Sequence, residues 1–87
     1  MELANCKVLL TGASGGIGQA LVEQLCAAGA QVLAVGRDPA PLAALVARFP
    51  GQVRHVAADL SDVAGLDAVT AAAQAWGELD CVIQAAG

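Results

Sequence analysis

No tyrosine occurs in these 87 residues, and the only lysine is Lys7. The chain therefore has no phenol, and just one amine side chain, to offer for general acid work. Lys and Arg together number four, against eight acids, for a net charge of −4. No basic patch exists, which excludes nucleic acid as an expected partner. No apolar run approaches the roughly 20 residues of a membrane span. Met1-Glu2-Leu3-Ala4-Asn5 lacks the basic and apolar regions of a signal peptide. The three cysteines, Cys6, Cys26 and Cys81, are odd in number and far apart. With no Cys-x-x-Cys and no Cys/His cluster, they read as buried free thiols in a reducing cytoplasm, and no metal site is expected.

What is present is apolar and alanine-rich, with 57% hydrophobic residues. That suits one small domain with a close-packed core and argues against disorder. A domain of this size buries only roughly 60–65% of the surface its unfolded chain exposes, so its stability is marginal. The organising stretch is Thr11-Gly12-Ala13-Ser14-Gly15-Gly16-Ile17-Gly18. The apolar run Val8-Leu9-Leu10 leads into it and a helix-patterned segment, Ile17 to Ala28, leads out. A glycine turn between a buried strand and a helix suits a phosphate, because the helix start carries free N–H groups and the positive end of the dipole. Gly12 permits the sharp turn, Gly16 lets a pyrophosphate approach the backbone, and Gly18 lets the helix pack closely. Glycines alone also make an ordinary flexible loop; the strand before and the helix after favour the phosphate site.

The remaining elements follow in order. Lys7 to Leu10 reads as a first strand, short and apolar without alternation, as for a strand covered on both faces. The first helix runs from about Gly16 to Ala28, with Ile17, Leu21, Leu25 and Ala28 on its apolar face, and Gly29 ends it. Gln31 to Val35 is a second strand. Asp38 caps a second helix with Pro39 at its first position; Leu42, Leu45, Val46 and Phe49 keep helical spacing, and Pro50-Gly51 stops it. Gln52 to Ala58 is a more polar third strand, with Arg54 and His55 suiting an edge. Ser61 is a candidate cap for a third helix whose face is Val63, Leu66, Val69, Ala73 and Trp76. Cys81-Val82-Ile83 begins a fourth strand. Alternating strands and helices with right-handed crossovers give one half of a doubly wound parallel sheet, strand order 3-2-1-4.

In the glycine stretch the sequence resembles the short-chain dehydrogenase/reductase family, whose motif is Thr-Gly-x-x-x-Gly-Ile-Gly. Thr11, Gly12, Gly16, Ile17 and Gly18 match it. The resemblance implies that residues 1–87 are the N-terminal half of an NAD(P)-binding Rossmann domain, with Gly12, Ser14, Gly15, Gly16, Ile17 and Gly18 around the pyrophosphate. The second strand ends at Gly36-Arg37, where a dinucleotide fold often carries an acid for the ribose 2′-OH. A guanidinium there suits a 2′-phosphate, and a basic residue at this position marks the NADP-preferring members, so NADP is expected over NAD. A solvated turn arginine paired with Asp38 is the plainer alternative. Asp59-Leu60 stands where the family meets the adenine, although Asp is also a common turn residue. Gln84-Ala85-Ala86-Gly87 stands where the family carries Asn-Asn-Ala-Gly; Ala86 and Gly87 match and keep a small turn beside the cofactor. Ser14 can donate to a phosphate or cap the helix. His55 reads as an exposed edge-strand residue and Trp76 as packing.

The family's chemistry uses a Ser and a Tyr-x-x-x-Lys pair that this sequence does not contain, so no catalytic residue is assigned here. Two functions are weighed. One is the cofactor-binding portion of an NADP-dependent oxidoreductase acting on a small-molecule carbonyl or alcohol, a homo-oligomer when intact. The other is a non-catalytic nucleotide-binding module or sensor. The apolar fourth strand, better suited to a sheet interior than an edge, favours the first. The isolated 87-residue piece is expected to be inactive.

Overall fold

The structure is a computed structural model that describes residues 6–13, 15–59, 61, 63–77 and 79–85. Its strands are β1 (Lys7–Thr11), β2 (Gln31–Gly36), β3 (Val53–Ala57) and β4 (Cys81–Gln84); its helices are α1 (Gly16–Ala27), α2 (Pro39–Arg48) and α3 (Val63–Trp76). The four strands form one parallel sheet in the order β3-β2-β1-β4. This is the expected Rossmann-type arrangement. The chain steps outward from β1 to β3, then crosses back to lay β4 on the other side of β1.

Side chains alternate across a strand, so β1 and β2 need apolar residues at every position to feed both faces. Val8, Leu10, Val32 and Ala34 pack with Val22, Leu25, Cys26, Leu42 and Leu45 on the side of α1 and α2. Leu9, Leu33 and Val35 pack with Val69 and Trp76 of α3 on the other. β3 is an edge strand: Val53 is buried while Arg54 and His55 are exposed. β4 is the other edge, and Val82 stands 59% exposed on it.

The helices differ from expectation in their rotation. α1 buries Gly18, Val22, Leu25 and Cys26; of the expected stripe Ile17, Leu21, Leu25 and Ala28, Leu25 is buried and Leu21 is half-buried against the core, while the two ends face out. Ile17 is 70% exposed and Ala28 is exposed. The two stripes lie one residue apart, about 100° around the axis, and both are apolar. Gly18 breaks the tie. A Cβ built on it would meet the Gly12 carbonyl oxygen and come 2.7 Å from the Ala13 Cα, so the helix turns its bare backbone toward that turn. α3 shows the same effect. A Cβ on Gly65 would meet the Asp59 carbonyl oxygen and come 2.7 Å from the carbonyl carbon. The buried stripe therefore runs Gly65, Val69, Ala72, Ala73, Trp76, and Val63 and Leu66 stand outside it, 74% and 49% exposed.

The ends of α1 and α2 behave as read. The Gly29 N–H donates to Cys26 O and the Ala30 N–H to Leu25 O, both at 3.0 Å, with Gly29 at φ 89°. This left-handed stop satisfies the last carbonyls of α1. The Asp38 carboxylate accepts the Ala40 N–H at 3.1 Å, the N-cap bond worth about 1 kcal/mol. The third strand is shorter than expected: Gln52 stands outside β3 and its amide donates to the carbonyls of Cys26 and Ala30 at 3.0 and 3.3 Å, closing the turn between α1 and β2.

Candidate functional site

β1 delivers its chain to the C-terminal edge of the sheet between β2 and β4, the point where the strand order reverses. Ligands of open parallel sheets bind in the crevice outside such a point. Three main-chain bonds carry the strand ladders into the loops there. Ala13 donates to Val35 O at 3.0 Å, Ala58 to Gly36 O at 2.8 Å, and Ala85 to Thr11 O at 2.9 Å. The ends of all four strands thus meet in one rim.

The glycine turn sits at its centre. Gly12 has φ 74°, a left-handed conformation that favours glycine, and its carbonyl accepts the Gly15 N–H at 3.2 Å. Gly15 is the N-cap of α1 and brings no side-chain hydrogen bond. The first turn of the helix closes when the Gln19 N–H reaches Gly15 O at 3.0 Å. The N–H groups of Gly16, Ile17 and Gly18 precede that bond and have no acceptor within the helix. They carry the positive end of the helix dipole. Above Gly16 is open space, with nothing within 4 Å of where a Cβ would be. Gly18, two residues on, has no such space. One glycine keeps room on the outer side, and the other draws the helix against the turn. An anion fits this arrangement.

Arg37 follows β2 at once and is exposed. It is not absorbed by Asp38, whose carboxylate is turned to the Ala40 N–H. Asp59 lies across from it at the end of β3. The Ser61 hydroxyl and N–H both donate to the Asp59 Oδ1, at 2.7 and 2.9 Å. These bonds hold the Asp59 carboxyl below its usual value of 3.8, and the positive charge of Arg37 adds to the effect. Ser61 therefore serves Asp59, and α3 begins two residues later, at Val63; the expected cap role of Ser61 is replaced by this turn. Ser14, Leu60, Ala86 and Gly87 lie outside the described residues.

The other polar groups are elsewhere. Lys7 is at the opposite edge of the sheet, where its Nζ donates to the Trp76 carbonyl at 2.7 Å and stands 5.7 Å from the Trp76 ring centre. A cation at the end of α3 meets the negative pole of that helix. His55 is exposed on β3, and Trp76 belongs to the core. Burial pushes the Cys26 thiol up. Among the described residues, no group of three or more His, Cys, Asp or Glu could hold a metal ion. No described helix is long and apolar enough to cross a membrane.

The short chain dehydrogenase family matches residues 6–87. This chain belongs to that family. It is 48% identical to the L-xylulose reductase of Bos taurus over 71% of this chain and 25% of that protein. It is 39% identical to a probable oxidoreductase of Streptomyces lividans, with 100% of this chain and 30% of that protein covered. Among solved structures, a 3-ketoacyl-(acyl-carrier-protein) reductase from Brucella melitensis, complexed with NADH, superposes with TM-score 0.83 at 33% identity. That superposition covers 92% of this chain and 34% of the reductase. A family oxidoreductase from Aeromonas hydrophila gives TM-score 0.86 at 31% identity, over 91% and 38% of the two chains. The chain thus spans between about a quarter and two-fifths of the length of these relatives.

Proposed function

We propose that this chain is the dinucleotide-holding portion of an oxidoreductase that moves hydride between nicotinamide and a carbonyl or alcohol carbon of a small molecule. The observation that carries this reading is the contrast within the glycine turn. Open space lies beside Gly16, next to N–H groups without helical acceptors, while Gly18 is pressed on the turn's backbone. The residues fit the cofactor that family membership implies. Gly12 shapes the turn, and Ser14, Gly15, Gly16, Ile17 and Gly18 bind the pyrophosphate at the helix start. Exposed Ile17 offers an apolar surface beside it. Arg37 receives the 2′-phosphate, so NADP is preferred over NAD. Asp59 and Leu60 meet the adenine, with the carboxylate accepting from its amino group. Ala86 and Gly87 form a small turn beside the bound cofactor.

When bound, the nicotinamide supplies or takes up the hydride. This chain's own part is to bind and orient. It has no tyrosine, and Lys7 is committed to Trp76 at the far edge of the sheet. No residue of these 87 is therefore assigned the proton transfer to the substrate oxygen. Relatives named L-xylulose reductase and D-erythrulose reductase support a polar carbonyl compound as substrate class.

Gly16→Val tests the reading. The branched side chain enters open space, so the fold survives, while the pyrophosphate is shut out. Calorimetric titration with NADPH should show binding in the parent and none in the variant. A folded variant with unchanged affinity would refute the site.

A further inference from the structure

Asp59 carries its carboxylate in solvent, yet that carboxylate is not free to swing. Its Oδ1 accepts the Ser61 N–H at 2.9 Å and the Ser61 hydroxyl at 2.7 Å. Behind it, the absent side chain of Gly65 lets α3 press on the Asp59 backbone. Before it, the Ala58 N–H is tied to Gly36 O at 2.8 Å, which fixes where the chain leaves the sheet. The main chain at Asp59 is thus held by the bond of Ala58 and by the approach of Gly65, and its side chain is held by Ser61.

A surface side chain that must be ordered only when a ligand arrives weakens that ligand by about 2- to 10-fold. Ser61 removes this cost in advance. A carboxylate oxygen accepts more than one hydrogen bond, so a carboxylate held by Ser61 retains capacity for a ligand's amino group. Both donors are on one residue, two positions on from Asp59 in the same loop.

We infer that Ser61 is a positioning residue for base recognition: it holds the Asp59 carboxylate ready to accept from the exocyclic amino group of adenine. This rests on the reading above that Asp59 meets the adenine. Ser61 thereby sets the preference for an amino purine over an oxo purine through Asp59. The oxo purine presents a carbonyl at the same place, and a fixed carboxylate repels it.

The test compares two dinucleotides, NADPH and its hypoxanthine counterpart, by calorimetric titration of the protein. Ser61→Ala, which loses the hydroxyl bond and keeps the N–H bond, should weaken NADPH about 2- to 5-fold and leave the hypoxanthine form unchanged, so the base preference narrows. Ser61→Thr, which keeps the hydroxyl, should restore it. Ser61 is exposed, and circular dichroism should show the Ala variant folded. Equal weakening of both dinucleotides would mean that Ser61 merely stabilises the loop, and would overturn the inference. So would an altered NADPH-to-NADH ratio with the base preference intact, since Ser61 would then act through Arg37. Asp59→Ala separates the two levels of the argument. If it abolishes the base preference while Ser61→Ala leaves it intact, Asp59 reads the base and Ser61 does not position it. If Asp59→Ala leaves the preference intact, the assignment of Asp59 to adenine fails and the inference falls with it.

Discussion

Replacing Gly16 and Gly18, one at a time, by alanine makes the same chemical change two residues apart and should give opposite results. On Gly18 the new Cβ would meet the Gly12 carbonyl oxygen, and would lie 2.7 Å from the Ala13 Cα and 3.0 Å from the Gly12 carbonyl carbon. All three are backbone atoms of a turn tied to β2 through Ala13 N–H and Val35 O, so none can swing aside as a flexible side chain would. Helix α1 must retreat, and Val22, Leu25 and Cys26 lose contact with the sheet. Overpacking of this kind costs about 1–3 kcal/mol, and the rigid neighbours put this case in the upper part of that range. The helix preference of alanine over glycine returns at most about 1 kcal/mol. The net loss is about 1–2 kcal/mol, or roughly 5–15 °C in melting temperature for a domain of this size. On Gly16 the Cβ meets nothing within 4 Å, so Gly16→Ala should be neutral or gain up to about 1 kcal/mol. Thermal and urea unfolding followed by circular dichroism would read both. Equal stability of the Gly18→Ala variant and the parent would refute the packing argument, as would equal losses for the two variants.

Cofactor choice is open to direct measurement. A charge-assisted bond from Arg37 to a 2′-phosphate is worth about 1.5–3 kcal/mol, so NADPH should bind about tenfold or more tightly than NADH, and Arg37→Ala should narrow the gap; equal affinities in the parent would remove the role given to Arg37. Asp59 should titrate below 3.8 in a carbon-13 NMR experiment, because the Ser61 bonds favour its charged form. With the folded value depressed, its stabilising contribution is present above the unfolded value and is lost as pH falls through the folded one. Ser61→Ala should move the midpoint back up, and an unmoved midpoint would contradict the assigned cause.

Much of the architecture is written along the chain. Three short apolar strands and a more polar one, separated by three helical patterns and joined by right-handed crossovers, leave few topologies, and β3-β2-β1-β4 is the one expected. The turn residues also act locally: Gly29 ends α1 and Asp38 begins α2 by bonds that reach only a few residues. The spacing of Gly12, Gly16 and Gly18 made the candidate site legible for the same reason, since a strand, a turn and a helix start are consecutive in sequence.

The tertiary structure decided how each helix is rotated. α1 and α3 each carry more than one apolar stripe, so their patterns do not choose between adjacent ones. The choice falls to two backbone contacts, Gly18 on the Gly12–Ala13 turn and Gly65 on Asp59. Gly65 meets Asp59 in the loop that leads into α3, but a lone glycine in a helical pattern does not say which backbone will press on it. Lys7 is a longer-range case, because its role depends on Trp76, 69 residues away. Ser61 was legible as a polar turn residue, but whether its hydroxyl would serve the helix or Asp59 depended on where α3 begins. Short-range bonds and apolar periodicity are properties of the sequence itself; the facing of one element on another is not, because it is settled by which surfaces can approach closely once both are folded.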